Sequence, residues 1–274
     1  MKLKHIVTVA LATTALLALS ACSNSKSSST SEVQKIKDKG TLVVATAADY
    51  APFEFQMVQN GKNVVVGSDI DMANQIAKDL GVKLKIENMD FNNVLTTVQS
   101  GKADLAIAGI NANPTREKSF DFSVPYYNDI NVVMVQKSKL SDYKTKSALN
   151  GKQVAVQTSS MQQTIAQTEM TKSTVVSLAN INDEVTELTS GKVNAVVIDQ
   201  IVAKQYVSEN PNLAITSLTY PYPKNSSGVA IAMKKNSGDL KTKIDSIVKA
   251  MKADGTITKY INNNITLANQ AKSK

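Results

Sequence analysis

Of the 31 lysines and arginines in the chain, a single one, Arg116, is an arginine. A guanidinium is a planar fork that grips a carboxylate through two parallel hydrogen bonds, which an ammonium cannot do. Arg116 closes the stretch Gly109-Ile110-Asn111-Ala112-Asn113-Pro114-Thr115-Arg116, soon after the apolar run 103–108. In α/β sheets, ligands sit at the carboxyl ends of strands. The position allows two uses: a clamp for a small carboxylate, or a structural pair with Asp121 or Glu117. Tyr50 follows the β-branched run 41–46, and Phe91 follows the alternating run 82–87. In a parallel sheet both share the edge of Arg116, where two rings can enclose an aliphatic or cationic side chain. Core packing is the competing use of Phe91 and the expected one for Phe53, Phe55, Phe120 and Phe122. Farther on, Thr158-Ser159-Ser160-Met161 runs into a helix-like segment. Its hydroxyls and free N–H groups suit an anion, or serve a plain N-cap. Asp199 ends the run 193–198 and precedes the helical stretch 200–207. Taken alone it reads as a helix cap; across a cleft it can hold an ammonium group.

The elements that must position these residues alternate between strand and helix patterns. After the strand 41–46, Ile70, Ala73, Ile76, Ala77 and Leu80 recur at helical spacing and stop at Gly81. A strand 82–87, a helix 92–99 and an apolar strand 103–108 follow, the grammar of a parallel sheet covered by helices. The pattern then recurs. Gly40–Thr46 is echoed by Gly151–Gln157, and Ser100-Gly101-Lys102 with its strand by Ser190-Gly191-Lys192 with its own. Two copies are too few for a solenoid and predict two similar α/β lobes. Turn-rich breaks at Pro125–Asp129 and Tyr220–Gly228 predict two crossings between lobes, hence a hinge, with a cleft as the ligand site. A strand 229–233 and helices 240–253 and 256–263 complete the chain.

The sole His5 and sole Cys22 lie in an N-terminal segment unlike the rest. The body behind them lacks imidazole and a second thiol, which excludes Ser-His-Asp and Cys-His catalysis, His/Cys zinc sites and internal disulfides. No cofactor or metal is expected. Residues 1–21 read as a secretion signal, with Lys2 and Lys4 before an apolar run from Ile6 to Leu19. Leu19-Ser20-Ala21-Cys22 resembles a bacterial lipobox, in which the cysteine is acylated and starts the mature protein. The Ser-rich stretch 22–32 is a flexible tether, so the picture is anchored to a bilayer through Cys22, not spanning it. Removing 1–21 takes Lys2 and Lys4 from the +8 of the full chain and leaves +6. The lysines are scattered without an Arg/aromatic stripe, so no nucleic-acid partner is expected. An extracytoplasmic monomer facing an anionic envelope accounts for the charge. The Ser-rich leash and Lys/Asn bias point to a Gram-positive outer face.

The ordered set Gly40–Phe55, Gly67–Met72, Met89-Asp90-Phe91, Ser100–Arg116, Phe120–Tyr127, Val154–Ser160, Ala195–Asp199 and Ala253–Thr256 resembles the polar amino acid-binding proteins of ABC importers, extracellular solute-binding protein family 3. The resemblance spans about residues 33–264. It implies a two-lobe, type II periplasmic-binding-protein-like fold closing on one free L-amino acid. Lobe 1 is expected over 33–126 and 228–264, lobe 2 over 131–222, a two-segment hinge at 127–130 and 223–227, and a C-terminal tail over 265–274. By the same resemblance, Arg116 binds the α-carboxylate, helped by Gly109, Asn111 and Ser160. Asp199 binds the α-ammonium, Tyr50 and Phe91 flank the side chain, and Asp69 reaches the far end of a cationic one. The family often has Asp where this chain has Ala47, Gly at Ser159 and Thr at Met161. Glu54 and Gln157 are the residues placed to compensate, and the ligand class is Lys/Arg or Gln. The expected function is capture without chemistry, followed by delivery to a membrane permease. The alternatives are an enzyme on the same fold, such as an amino- or keto-acid dehydratase or a peptidoglycan-acting lipoprotein, and a surface scaffold.

Overall fold

The computed structural model describes residues 31–271. The expected signal 1–21, Cys22 and most of the tether lie outside them. Ser31 instead caps the first helix, α1 (Glu32–Lys39), by accepting the Gln34 N–H, and Gly40 ends it in a left-handed turn at φ 68°.

The first lobe is built on a five-stranded sheet. Its parallel core is β1 (Thr41–Thr46) between β5 (Lys83–Asn88) and β6 (Leu105–Ala106), with Thr41 opposite Lys83 and Val44 opposite Leu105. Leu42 and Val44 are wholly buried, as expected for a strand covered on both faces. Between β1 and β5 the chain inserts a small antiparallel sheet, β2 (Asp49–Tyr50), β3 (Glu54–Gln59) and β4 (Lys62–Val66), and then α2 (Ser68–Leu80). Asn60 and Gly61 turn the β3–β4 hairpin with φ 52° and 73°, the geometry that matches strand twist. Helix α3 (Phe91–Gln99), the short α4 (Pro114–Glu117) and β7 (Phe120–Phe122) complete this half.

The chain then crosses to a second sheet, with β8 (Asn131–Gln136), β9 (Gln153–Gln157), α5 (Met161–Glu169), β10 (Thr174–Leu178), α6 (Ile181–Ser190), β11 (Ala195–Asp199), α7 (Gln200–Glu209) and β12 (Leu213–Tyr220). Here β9 lies parallel between β10 and β11, as β1 does between β5 and β6, and Gly101 and Gly191 both stop a helix at positive φ. The sequence echo is thus a structural one. In each sheet the antiparallel strand beside this parallel core is the one the chain enters on crossing. That is β8 in the second sheet and, on the way back, β13 (Ala232–Lys234) in the first. The resulting fold is α/β, of the two-lobe type II periplasmic-binding-protein-like kind.

The two crossings touch. Tyr127 and Val229 form an antiparallel bridge, and the Val229 N–H reaches the Tyr127 carbonyl at 2.8 Å. Gly228 permits this approach, since a Cβ there would stand 2.2 Å from that carbonyl oxygen. An apolar cluster joins the halves, from Leu42, Met72 and Ile76 through Tyr126 to Met134, Val196 and Ile198. The last elements, α8 (Asp239–Ala253) and α9 (Thr256–Ala271), return to the first lobe. Helix α9 continues past the start of the expected tail, because Ile257, Ile261, Asn264 and Ala268 keep one buried face going. Its end reaches the second lobe, where Gln205 Nε2 donates to Asn269 Oδ1 at 2.9 Å.

Candidate functional site

The carboxyl ends of β1, β6, β9 and β11 converge on a small cavity between the lobes. The first lobe lines it with Ala47, Asp49 and Tyr50 after β1, Glu54 at the start of β3, Phe91 at the start of α3, and Gly109, Asn111 and Arg116 beyond β6. The second lobe adds Gln157 from the end of β9 and Ser160, Met161 and Gln162 at the start of α5.

Arg116 is placed by α4, whose first turn Asn113 caps by accepting the Thr115 and Arg116 N–H groups. Its guanidinium donates to the Asn111 carbonyl at 2.8 Å and, across the cleft, to the Ser159 carbonyl at 2.9 Å. It also lies 5.8 Å from the Phe91 ring centroid. Among the described residues it forms no salt bridge. The pairing with Asp121 does not occur, since Asp121 takes Lys235 at 3.4 Å. Glu117 does not pair with it either. Burial lowers the Arg116 pKa to about 10, which leaves it charged at neutral pH.

Asp199 corrects the helix-cap reading. It occupies the N-cap position of α7, yet its side chain makes no capping bond. One carboxylate oxygen accepts from Tyr50 Oη at 2.6 Å; the other accepts from Tyr222 Oη and from Gln162 Nε2 at 3.2 Å. It forms the wall behind the cavity lining, and burial raises its pKa to about 6.

The acids of the first lobe form a second group. Glu54 is 1% exposed and neither of its oxygens has a hydrogen-bond partner. Burial, and Asp69 behind it, push its carboxyl well above the usual range. Asp69 does not line the cavity, contrary to the expectation of direct reach. It accepts from Tyr126 Oη at 2.6 Å and the Gly109 N–H at 3.3 Å, and it lies beside Glu54. Gly109, at φ 60°, lets the Tyr50 ring lie against this loop; a Cβ would stand 3.0 Å from that ring. Asn111 Nδ2 is buried without a partner. Ser160 caps α5 by accepting the Gln163 N–H at 3.0 Å, and Gln157 Nε2 donates to Asp49 at 3.1 Å.

Asp49, Gln162 and Tyr222 are the site residues that the sequence did not single out. Asp49 also accepts the Ile181 N–H, at 2.8 Å, and its own carbonyl accepts from Tyr206 Oη at 3.0 Å. Three elements of the second lobe thereby grip one residue of the first. Its remaining carboxylate oxygen has no partner, and burial raises its pKa to about 6. The one sequence signal for Asp49 is its distance of two residues from Ala47, the position of the missing acid.

All of these cleft acids, and Glu184 beneath Asp49, are shifted upward by burial. Through Asp49 and Asp199, raised to about 6, the folded state holds protons between about pH 4 and 6 that ordinary carboxyls in an unfolded chain release. A folded state that binds more protons gains stability as pH falls through that window. The empty protein is expected to melt about 5 °C or more higher at pH 5 than at pH 7.5, measured by circular dichroism. An equal or lower melting temperature at pH 5 contradicts the assignment.

Among the described residues no cluster of three His, Cys, Asp or Glu can hold a metal ion, and no helix is long and apolar enough to cross a membrane. The family model for bacterial extracellular solute-binding proteins, family 3, matches residues 42–266. The arginine-binding extracellular protein ArtP of Bacillus subtilis is 32% identical over 246 residues, 88% of this chain and 90% of that protein. The crystal structure of the amino acid ABC transporter substrate-binding protein AbpA from Streptococcus pneumoniae, bound to L-arginine, is 44% identical with a TM-score of 0.82, covering 86% of this chain and 98% of that one. Cyclohexadienyl dehydratase of Pseudomonas aeruginosa is 27% identical over 221 residues, 80% of each chain. A hinged pair of lobes whose strand ends close on opposed charged groups, with these matches along nearly the whole described chain, places it: the chain belongs to the bacterial extracellular solute-binding proteins, family 3.

Proposed function

We propose that this protein is the lipid-anchored substrate-binding component of an ABC importer, which captures a free L-amino acid with a cationic side chain and passes it to a membrane permease. The observation that carries this reading is the charge layout. Arg116 has no acid partner at one end of the cavity, and Glu54 and Asp49 offer unpartnered oxygens at the other. Buried polar groups without partners are costly unless something pairs them. A zwitterion with a basic tail supplies both missing partners. Arg116 takes the α-carboxylate beside Gly109, Asn111 and Ser160, and Asp199 takes the α-ammonium. Tyr50 and Phe91 flank the aliphatic stem, and Glu54, backed by Asp69, receives the terminal cation with Gln157 nearby. Because these contacts are divided between lobe 1 (33–126 and 228–264) and lobe 2 (131–222), the ligand favours closure about the hinge at 127–130 and 223–227. The arginine-binding relatives support the cationic class. Acylation of Cys22 in the exported chain gives the anchor.

A thermal-shift screen of the twenty amino acids tests this reading. L-Arginine and L-lysine are expected to raise the melting temperature by about 5 °C or more at a hundredfold excess over Kd. No shift with any amino acid overturns it. The dehydratase relative and the raised pKa of the Glu54 carboxyl favour a second reading, an acid-catalysed elimination. Mass spectrometry of ligand recovered from the protein separates the two, since a receptor returns its amino acid unchanged.

A further inference from the structure

Tyr222 lies two residues beyond β12, in the crossing that returns the chain to the first lobe, between Pro221 and Pro223. Proline fixes its own φ and restricts the residue before it to extended conformations, so Tyr222 stands on a stiff stretch at the end of the second lobe, next to the hinge. Its hydroxyl donates to Asp199 and lies beside the Asn111 amide, within electrostatic reach of Arg116.

We infer that Tyr222 is a positioning residue of the ligand site: from beside the hinge, its hydroxyl orients the Asp199 carboxylate and holds it ready for the ligand's ammonium. The inference rests on the assignment of the ammonium to Asp199. A carboxylate has about four acceptor positions. Tyr50 from the first lobe, Gln162 from α5 and Tyr222 from the segment before the hinge fill three, which leaves one for an ammonium N–H. All three are neutral donors, so they fix the group without cancelling its charge. Around it, burial and the Asp129 carboxylate oppose ionisation, while the Tyr222, Tyr50 and Gln162 donors favour it; Tyr127 is the remaining titratable neighbour. Hydrogen bonds to the charged form lower a carboxyl pKa. Without Tyr222, Asp199 should stay protonated to a higher pH.

The test is calorimetric titration with L-arginine from pH 5.5 to 8. Tyr222→Phe is expected to stay within about threefold of wild-type affinity at pH 8 and to fall about fivefold or more below it at pH 6. The pH at which affinity begins to drop should move up by about one unit. Asp49 titrates in the same range, and Asp49→Asn on the same series isolates its part of the slope. Tyr222→Leu, which lacks ring and hydroxyl alike, repeats the test in case the phenylalanine variant misfolds. A loss equal at every pH makes Tyr222 a packing residue only and overturns the inference, as does a curve that superimposes on wild type. Asp199→Asn should lose affinity at least a hundredfold at every pH. If it binds like wild type, the ammonium does not sit on Asp199, and the site assignment falls together with the inference.

Discussion

Arg116→Ala is expected to abolish measurable capture while the protein stays folded. The side chain lines a cavity whose other polar groups cannot replace a two-pronged cation. Leaving a buried ligand carboxylate without its partner costs about 3 kcal/mol or more, which is over a hundredfold in Kd. The fold should tolerate the change. In the empty protein Arg116 donates only to two backbone carbonyls, at Asn111 and Ser159, and takes no part in an ion pair of the core. One of these bonds joins the lobes, so its loss should also let the empty protein open further, visible as a larger radius of gyration in solution scattering. Arg116→Lys keeps the charge and loses the fork, and should fall between the two. Calorimetry with L-arginine and L-lysine gives the affinities. Unchanged affinity in Arg116→Ala would refute the placement of the carboxylate.

The sequence made some of this site legible and hid the rest for physical reasons. Arg116 was readable because sheet grammar alone puts the residues after β6 at a strand's carboxyl end, and because its residue type is unique in the chain. The echo of Gly-stopped helices revealed two lobes because helix stops are local: each needs one residue at positive φ. Asp199 was ambiguous for the opposite reason. Capping and ligand binding demand the same residue at the same place, and the choice is made by Tyr50, distant by 149 positions, and by Tyr222. Asp49 was invisible as a functional group because its partners Gln157 and Ile181 lie 108 and 132 residues away and meet it only when the lobes come together. Asp69 shows the limit of motif transfer. Glu54, its neighbour, lines the cavity and Asp69 does not, so on the proposed reading the role passes one side chain forward.

That relay makes Glu54 the residue on which side-chain selectivity should turn. In the empty site its carboxyl is buried and faces a second acid, Asp69, and both raise its pKa well above the usual carboxylate range. A guanidinium or ammonium arriving at this end supplies the missing donors and positive charge, and the proton should leave. Binding of L-arginine is therefore expected to release about one proton near neutral pH, read as a dependence of the calorimetric heat on the ionisation enthalpy of the buffer. Glu54→Gln keeps the volume and removes the ionisable group. It should weaken L-arginine and L-lysine about a hundredfold, the cost of an unpaired buried charge, and change L-glutamine by less than about threefold. The variant should release no proton. Its melting temperature should match or exceed that of the wild type, because the amide can donate to Asp69 without the cost of a buried acid pair. If proton release is absent in the wild type and the ratio of L-arginine to L-glutamine affinity survives the substitution, then Glu54 does not meet the ligand's cation, and selectivity must lie with the free oxygen of Asp49.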